Sequence, residues 1–329
     1  MKFFRLIICA FIVFIVAFSC FYGFKQINYA DKKLTGEQNY KCILTLWHID
    51  TFEGGVGSRA EFLHARANEF EKKTNGVFIM VQTHTVESAK KSYLDGAKPD
   101  LVSFGYGIVP QNPSKVDEKY YFEYADIDGD CYAYAWCRGG YVILANKTIP
   151  EDKTLINAVV SQGEYTSPLT ATAIEGYTLK NYKTLVPTEA YYKFITGDAD
   201  YLLGTQRDVN RVISRNADVS IKVLMQYNDL YQYISVTSGD LTKKYYACAY
   251  VEYLLTEGVQ SKLNKIGMFS INYKVDYADQ KLVDMQNAVF DYGFNVFNSV
   301  SEYEKLKALS TIAVSGNEDA LKKIKNFVA

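Results

Sequence analysis

Apolar positions open the chain in one unbroken block and then settle into short alternating segments. Lys2 and Arg5 precede an uncharged apolar run over residues 6–24, which Lys25 closes. Charge before such a run, and none within it, is the pattern of a secretory signal peptide or an uncleaved membrane anchor, with the N-terminus inside and the rest outside. Residues 25–40 are polar; 1–30 read as the leader and 31–40 as a tether. Residues 42–47 then form a short buried strand that delivers Trp47 and His48 to its end. A glycine-rich loop over 50–57 leads into Ser58-Arg59-Ala60-Glu61, a capping-box pattern, and Leu63, Ala67 and Phe70 share one face of the helix that follows. Asn75-Gly76 stops that helix. A strand over 77–81, a helix over 88–94 ending at Gly96, and a strand over 99–104 opening into Gly105-Tyr106-Gly107 complete a β-α-β-α-β series. This is the start of a parallel sheet covered by helices, with ligands expected beyond the carboxyl ends of its strands.

Beyond residue 140 the pattern loosens. Residues 141–145 read as a strand and 151–190 as mixed turns and helix pieces. Leu202-Leu203 is a short strand running into Gly204-Thr205-Gln206-Arg207-Asp208, and 233–237 is another strand. A helix over 243–255 carries Ala247, Tyr250, Val251 and Leu254 at helical spacing. From Gln280 the pattern is helical, with Met285, Val289 and Tyr292 on one face.

A length of 329 residues exceeds what one core usually covers, so two domains or one bilobal fold is expected. Hydrophobic content of 48% with 22% charged residues excludes disorder, collagen and coiled coil. Thirty-six Lys+Arg against 37 Asp+Glu leave a net charge of -1, which speaks against a nucleic-acid partner of the basic-patch kind. The 28 Tyr and 19 Phe, against 2 Trp, fit either a compositional bias or an aromatic-lined ligand site.

Candidate chemistry is sparse. Cys20, preceded by Ala17-Phe18-Ser19, satisfies a loose bacterial lipobox. Lipidation at Cys20, an uncleaved anchor and free secretion are the three outcomes open to the leader, and each leaves the folded part outside the membrane. Cys42, Cys131, Cys137 and Cys248 form neither a disulfide framework nor a CxxC pair; Cys131 and Cys137 are near enough in sequence to bond if the chain turns between them, and otherwise read as buried free thiols. His48, His64 and His84 form no HExxH motif and no cysteine/histidine cluster, so no metal site is expected. His48 alone reaches the sheet edge, where it serves either as a ligand contact or as a structural hydrogen-bonding group.

Gly55-x-Gly57-x-x-Ala60 loosely fits a dinucleotide fingerprint, but the loop is long and Gln82-Thr83-His84 stands where an acidic ribose contact is needed. What remains is a helix N-terminus whose free N–H groups suit hydroxyl or anionic groups of a small ligand. Asp126-x-Asp128-Gly129-Asp130 lacks the terminal Glu of a calcium loop and reads as a solvated turn. No nucleophile elbow, P-loop or acid–base pair stands out, so neither an enzyme nor a cofactor is expected.

Several segments together resemble the sugar-binding (family 1) extracellular solute-binding proteins of bacterial ATP-binding-cassette importers. They are Leu44-Thr-Leu-Trp-His48, the stretch Ala67-Asn-Glu-Phe-Glu-Lys-Lys-Thr-Asn-Gly76, and Pro99-Asp100-Leu101-Val102. Ala135-Trp136-Cys137-Arg138-Gly139-Gly140-Tyr141 with Asn146-Lys147 resembles the first lobe crossing, and Ile234-Ser-Val-Thr237 the return. Phe194-Ile-Thr-Gly197-Asp-Ala199 and Ala249-Tyr-Val-Glu-Tyr-Leu-Leu-Thr-Glu-Gly-Val-Gln260 with Ile266-Gly267-Met268 follow in the family's order.

The resemblance covers most of residues 42–272 and implies a two-lobed α/β fold of the type II periplasmic-binding-protein kind. Lobe one would be 41–135 plus 236–270, and lobe two 136–235 plus 271–329. It further implies a small solute, carbohydrate first, captured between the lobes and handed to a membrane permease with its separate ATPase. His48, Ser58, Arg59, Ser103 and Tyr106 of lobe one would touch ligand, with Trp136 and Arg138 at the crossing and Gln206, Arg207 and Asp208 from lobe two. Trp136 would either stack on ligand or pack in the hinge. Arg138 and Arg207 would either hold a carboxylate or form interlobe ion pairs.

Two departures stand out: the second lobe is short between Asn146 and Lys193, and Gln206-Arg207-Asp208 replaces a frequent Trp, pointing to a more polar ligand. A membrane-anchored sensory or interaction protein on the same fold is the rival reading.

Overall fold

The computed structural model describes residues 11–19 and 40–328. Residues 11–19 form helix α1. Among the described residues no helix is long and apolar enough to cross a membrane. Cys20, with the remainder of the leader and the tether as far as residue 39, lies outside the described residues.

Two five-stranded sheets organise the rest. In the first, β1 (Cys42–Ile49), β2 (Val77–His84) and β3 (Leu101–Phe104) are parallel, joined through α2 (Arg59–Lys73) and α3 (Val86–Leu94). The β4–β5 hairpin (Asp126–Ile127, Asp130–Cys131) turns at Gly129, whose φ of 90° needs no Cβ, and Asp126 Oδ1 accepts the Gly129 N–H. This is the expected turn. Strand β6 (Tyr134–Arg138) completes the edge of the first sheet.

The second sheet holds β7 (Tyr141–Ala145), β8 (Thr154–Ser161), β9 (Thr178–Leu185), β10 (Tyr201–Thr205) and β11 (Ser220–Val223), in the order β11-β7-β10-β8-β9. Its helices are α4 (Pro168–Ile174), α5 (Pro187–Ile195) and α6 (Gln206–Ser214). After β12 (Tyr227–Asn228) the chain returns as β13 (Tyr231–Val236), antiparallel between β3 and β6 in the first sheet. Helices α7 (Leu241–Leu254) and α8 (Glu257–Gln260) follow. The C-terminal part contains α9 (Gln280–Gln286), β14 (Tyr292–Gly293), α10 (Val300–Ala313) and α11 (Glu318–Val328).

The sheet pairing sets the crossings. Strand β6 belongs wholly to the first sheet, so the chain leaves it at Gly139-Gly140 and not at 135, and it is back in that sheet by Tyr231, ahead of the expected 236. A side chain at Gly139 would run into the buried Gln206 amide, which accepts the Gly140 N–H, so the crossing is closely packed there. The segment expected as turns and helix pieces contains two eight-residue strands, β8 and β9, around a fully buried α4. Asn157 and Asn181 adopt left-handed φ values of 63° and 52° at matching points of these paired strands, which breaks the alternation that would have exposed them. At the other end, α9 stops at Gln286 and Val289 is 79% exposed, so Met285, Val289 and Tyr292 do not share a helix face.

A buried carboxylate fastens the second crossing. Asp229 accepts hydrogen bonds from Tyr141 Oη at 2.6 Å, from Tyr303 Oη at 2.8 Å and from Ser167 Oγ. Burial pushes the Asp229 carboxyl up, against the pull of these hydroxyl donors. Strand β7, the start of α4, and α10 are thereby tied to one point of the hinge. The cysteines at 42, 131, 137 and 248 are free thiols, the first three of them buried.

Candidate functional site

A cleft of about 460 Å³ opens between the lobes. From the first lobe it is lined by the segment after β1, including Asp50, Phe52, Glu53, Ser58 and Arg59. From the second come Ser161 at the end of β8, Thr166, and Thr205 and Arg207 at the end of β10. The carboxyl ends of strands from both sheets thus converge on one space, the usual place for a ligand in open α/β sheets.

Helix amino ends point to the same region. Ser58 caps α2 by accepting the Glu61 N–H at 3.3 Å. Thr205 and Asp208 cap α6 reciprocally, with Asp208 Oδ2 accepting the Thr205 N–H at 3.1 Å. Burial pushes the Asp208 carboxyl up to about 6, although the Thr205 N–H and the Arg211 guanidinium pull the other way. Asp208 is therefore a structural cap beneath the cleft floor and does not line the cleft.

A chain of buried groups orients Asp50. Trp136 Nε1 and Gln232 Nε2 donate to Ser103 Oγ at 3.2 and 3.1 Å. His48 sits between Ser103, at 3.1 Å from Nδ1, and Asp50 Oδ1, at 3.1 Å from Nε2. With Asp50 as acceptor, Nε2 carries the proton and Nδ1 accepts from Ser103. Burial holds the His48 pKa down despite the Asp50 contact, so the imidazole is neutral. Burial alone would raise the Asp50 carboxyl, but the His48 hydrogen bond and the Arg59 charge hold it well below the usual range. Arg59 donates to Asp50 Oδ1 from Nε at 3.1 Å and from Nη2 at 2.6 Å.

The sequence-selected residues therefore separate into groups. Ser58, Arg59 and Arg207 line the cleft. His48, Ser103 and Trp136 stand behind it; Trp136 is fully buried and stacked on Phe62 at 5.9 Å, so it packs in the core and offers no face to a ligand. Gln206 is also buried, accepting the Gly140 N–H at 3.1 Å and donating to the Glu53 carbonyl at 3.4 Å, which ties the crossing to the cleft loop.

Arg138 is not at the cleft. Its guanidinium donates to the Met285, Gln286 and Ala288 carbonyls at 3.2, 2.7 and 3.5 Å, capping the end of α9. Tyr106 faces a separate apolar cavity of about 560 Å³, where it donates to the Ser299 carbonyl at 2.7 Å and packs on Tyr303 at 4.2 Å.

Sequence reasoning missed Asp50, Glu53, Ser161, Thr166 and Thr205. Asp50 and Glu53 lie in a loop noted for its glycines, and Ser161 ends a strand hidden by Asn157.

No family model matches the chain, and no curated protein matches it in sequence. Solved structures do match in fold. The sugar-binding protein MalE of Xanthomonas citri superposes with a TM-score of 0.59 at 14% identity, over 87% of this chain and 96% of that one. Apo RafE of Streptococcus pneumoniae gives 0.57 at 13% identity, over 87% and 97%. The Bordetella ferric binding protein gives 0.55 at 14%, over 88% and 100%. The chain has the two-lobed α/β periplasmic-binding-protein fold.

Proposed function

We propose that this protein is the extracytoplasmic substrate-binding component of an ATP-binding-cassette importer, capturing a small polar solute between its lobes. The single observation that carries the reading is the lining of the cleft. Asp50, Glu53, Ser58 and Arg59 from one lobe face Ser161, Thr166, Thr205 and Arg207 from the other, around a space of ordinary ligand-site size. A solute that touches both sets favours the closed arrangement by its differential contacts.

Carbohydrate is the leading class. Its hydroxyls match a mixture of carboxylate, guanidinium and hydroxyl partners, and the neighbour MalE is described as sugar-binding. The basic start and apolar run of the leader support export, with Cys20 the candidate for lipidation and a membrane permease the partner.

The test is thermal unfolding of the full chain in detergent against oligosaccharides, acidic sugars and amino acids. A ligand at ~1,000 times its Kd stabilises the native state by ~4 kcal/mol, which raises the midpoint by several degrees. A rise confined to one chemical class supports the reading; no rise from any compound contradicts it.

A further inference from the structure

If the cleft is the solute site, as proposed above, its donors narrow the chemistry of the solute. Arg59 is 2% exposed, lines the cleft, and uses Nε and Nη2 on Asp50 and the Phe52 carbonyl, while Nη1 has no partner. A buried donor left unsatisfied is costly, more so when it is charged, so Arg59 Nη1 in the cleft wall calls for a partner that a ligand can supply.

The opposite wall adds a second guanidinium. Arg207 spends Nη1 on Glu53 Oε1 at 2.8 Å, with its side chain 35% exposed. Formal charge in the cleft cancels, Arg59 and Arg207 against Asp50 and Glu53. The amino ends of α2 and α6 add about half a positive charge each, but their first turns carry Glu61 and Asp208, so the wall stays near neutral. Two guanidinium groups on a near-neutral wall suit one negative charge better than two. Of the lining residues only Phe52 is aromatic, and the Arg59 guanidinium covers its ring at 4.1 Å. A neutral sugar therefore finds no free ring to stack on.

We infer that the solute is a monoanion, a carboxylate-bearing sugar whose carboxylate is received by Arg59 and Arg207. Ser161, and the hydroxyl proton of Thr205 whose oxygen already caps α6, serve its hydroxyls. Arg59 has only Nη1 left to give, so the two parallel hydrogen bonds of a planar guanidinium–carboxylate pair fall to Arg207, and a phosphate dianion on a near-neutral wall is less well matched.

Calorimetric titration of the full chain in detergent tests this with matched pairs, galacturonate against galactose and trigalacturonate against galactotriose, and with galactose 1-phosphate as the dianion. The expected result is at least tenfold tighter binding of the uronate in a pair, weakened by raising salt from 50 to 500 mM, with Arg207→Gln reducing the preference below threefold. Equal or tighter binding of the neutral sugar, lost in Thr205→Val, overturns the monoanion while leaving the cleft as the solute site. Tighter binding of the phosphate overturns the carboxylate. Binding of none of these compounds overturns the inference, and the panel of the preceding section then shows whether the cleft reading falls with it.

Discussion

Arg207 reaches across the cleft from the first turn of α6 and meets Glu53 of the opposite lobe at 2.8 Å. The two lobes are thus joined by an ion pair at the place where a solute is expected to join them. Side-chain exposures of 35% and 28% leave this pair open to water, so its worth is at most about 1 kcal/mol, and salt screens it. Glu53→Gln is expected to shift the unliganded protein towards a more open form by up to about fivefold in the equilibrium, most visibly at low salt. Small-angle scattering of variant and parent checks it through the radius of gyration.

Loop 54–57 and the turn at Gly267 meet backbone to backbone. The Val56 N–H donates to the Ile266 carbonyl at 3.0 Å, and a methyl group on Gly55 would overlap the Gly267 carbonyl. Backbone cannot swing aside as a flexible side chain does, so Gly55→Ala is expected to cost about 1–3 kcal/mol. Urea unfolding reads that loss. Gly96→Ala is a poor control because φ there is 87°; Gly258→Ala, with open space and an ordinary φ, should stay near the parent value.

Trp136 should behave as a core residue. It is fully buried, stacked on Phe62, and donates to Ser103. Trp136→Ala is expected to lose about 3–5 kcal/mol of stability. Trp136→Phe keeps most of the packing and should retain solute binding, whereas a ligand-stacking role would cost affinity in the same variant. Calorimetric unfolding and titration on Trp136→Phe separate the two.

How much of this was legible follows from what each signal depends on. Strand β1 and helix α2 were readable because local facts mark them: an apolar run, Ser58 as cap, and Leu63, Ala67 and Phe70 on one face, all three buried in the structure. Strands β8 and β9 were not, because left-handed Asn157 and Asn181 interrupt the alternation by which a strand is recognised. Trp136 looked like a site residue because it stands at a lobe crossing, but β6 is buried along its whole length, and position along the chain does not tell which side of a sheet faces a cleft. The pairing of Glu53 with Arg207 joins residues more than 150 positions apart and has no local signature. Arg59 and Ser58, by contrast, were found because a helix start announces itself.

Asp208 gives the account a pH dependence. Its carboxyl is raised to about 6 by burial, above its unfolded value near 4, so the native state holds the proton more tightly than the unfolded state. Burying the ionised form therefore costs stability above pH 6, and that cost is relieved as pH falls from about 6 towards 4. Asp208→Asn keeps an oxygen for the Thr205 N–H and removes the titration, so its melting temperature should lose this component of the pH dependence. Melting curves of parent and variant between pH 4 and 7.5 make the comparison.

The hinge carboxylate is expected to be costly to disturb. Tyr303→Phe removes one donor to buried Asp229 and should lower stability by about 1–3 kcal/mol without touching a cleft-lining residue. Denaturant unfolding gives the loss, and solute titration on the same variant shows whether fastening the hinge also sets affinity.

The central claim is that a polar solute lies between the lobes and touches both. Hydrogen exchange of the full chain, with and without the compound that most raises the unfolding temperature, tests it most directly. Slowed exchange is predicted in residues 50–59 and also in residues 161–166 and 205–207. Protection confined to one lobe, or centred on the separate cavity around Tyr93 and Tyr106, would contradict it.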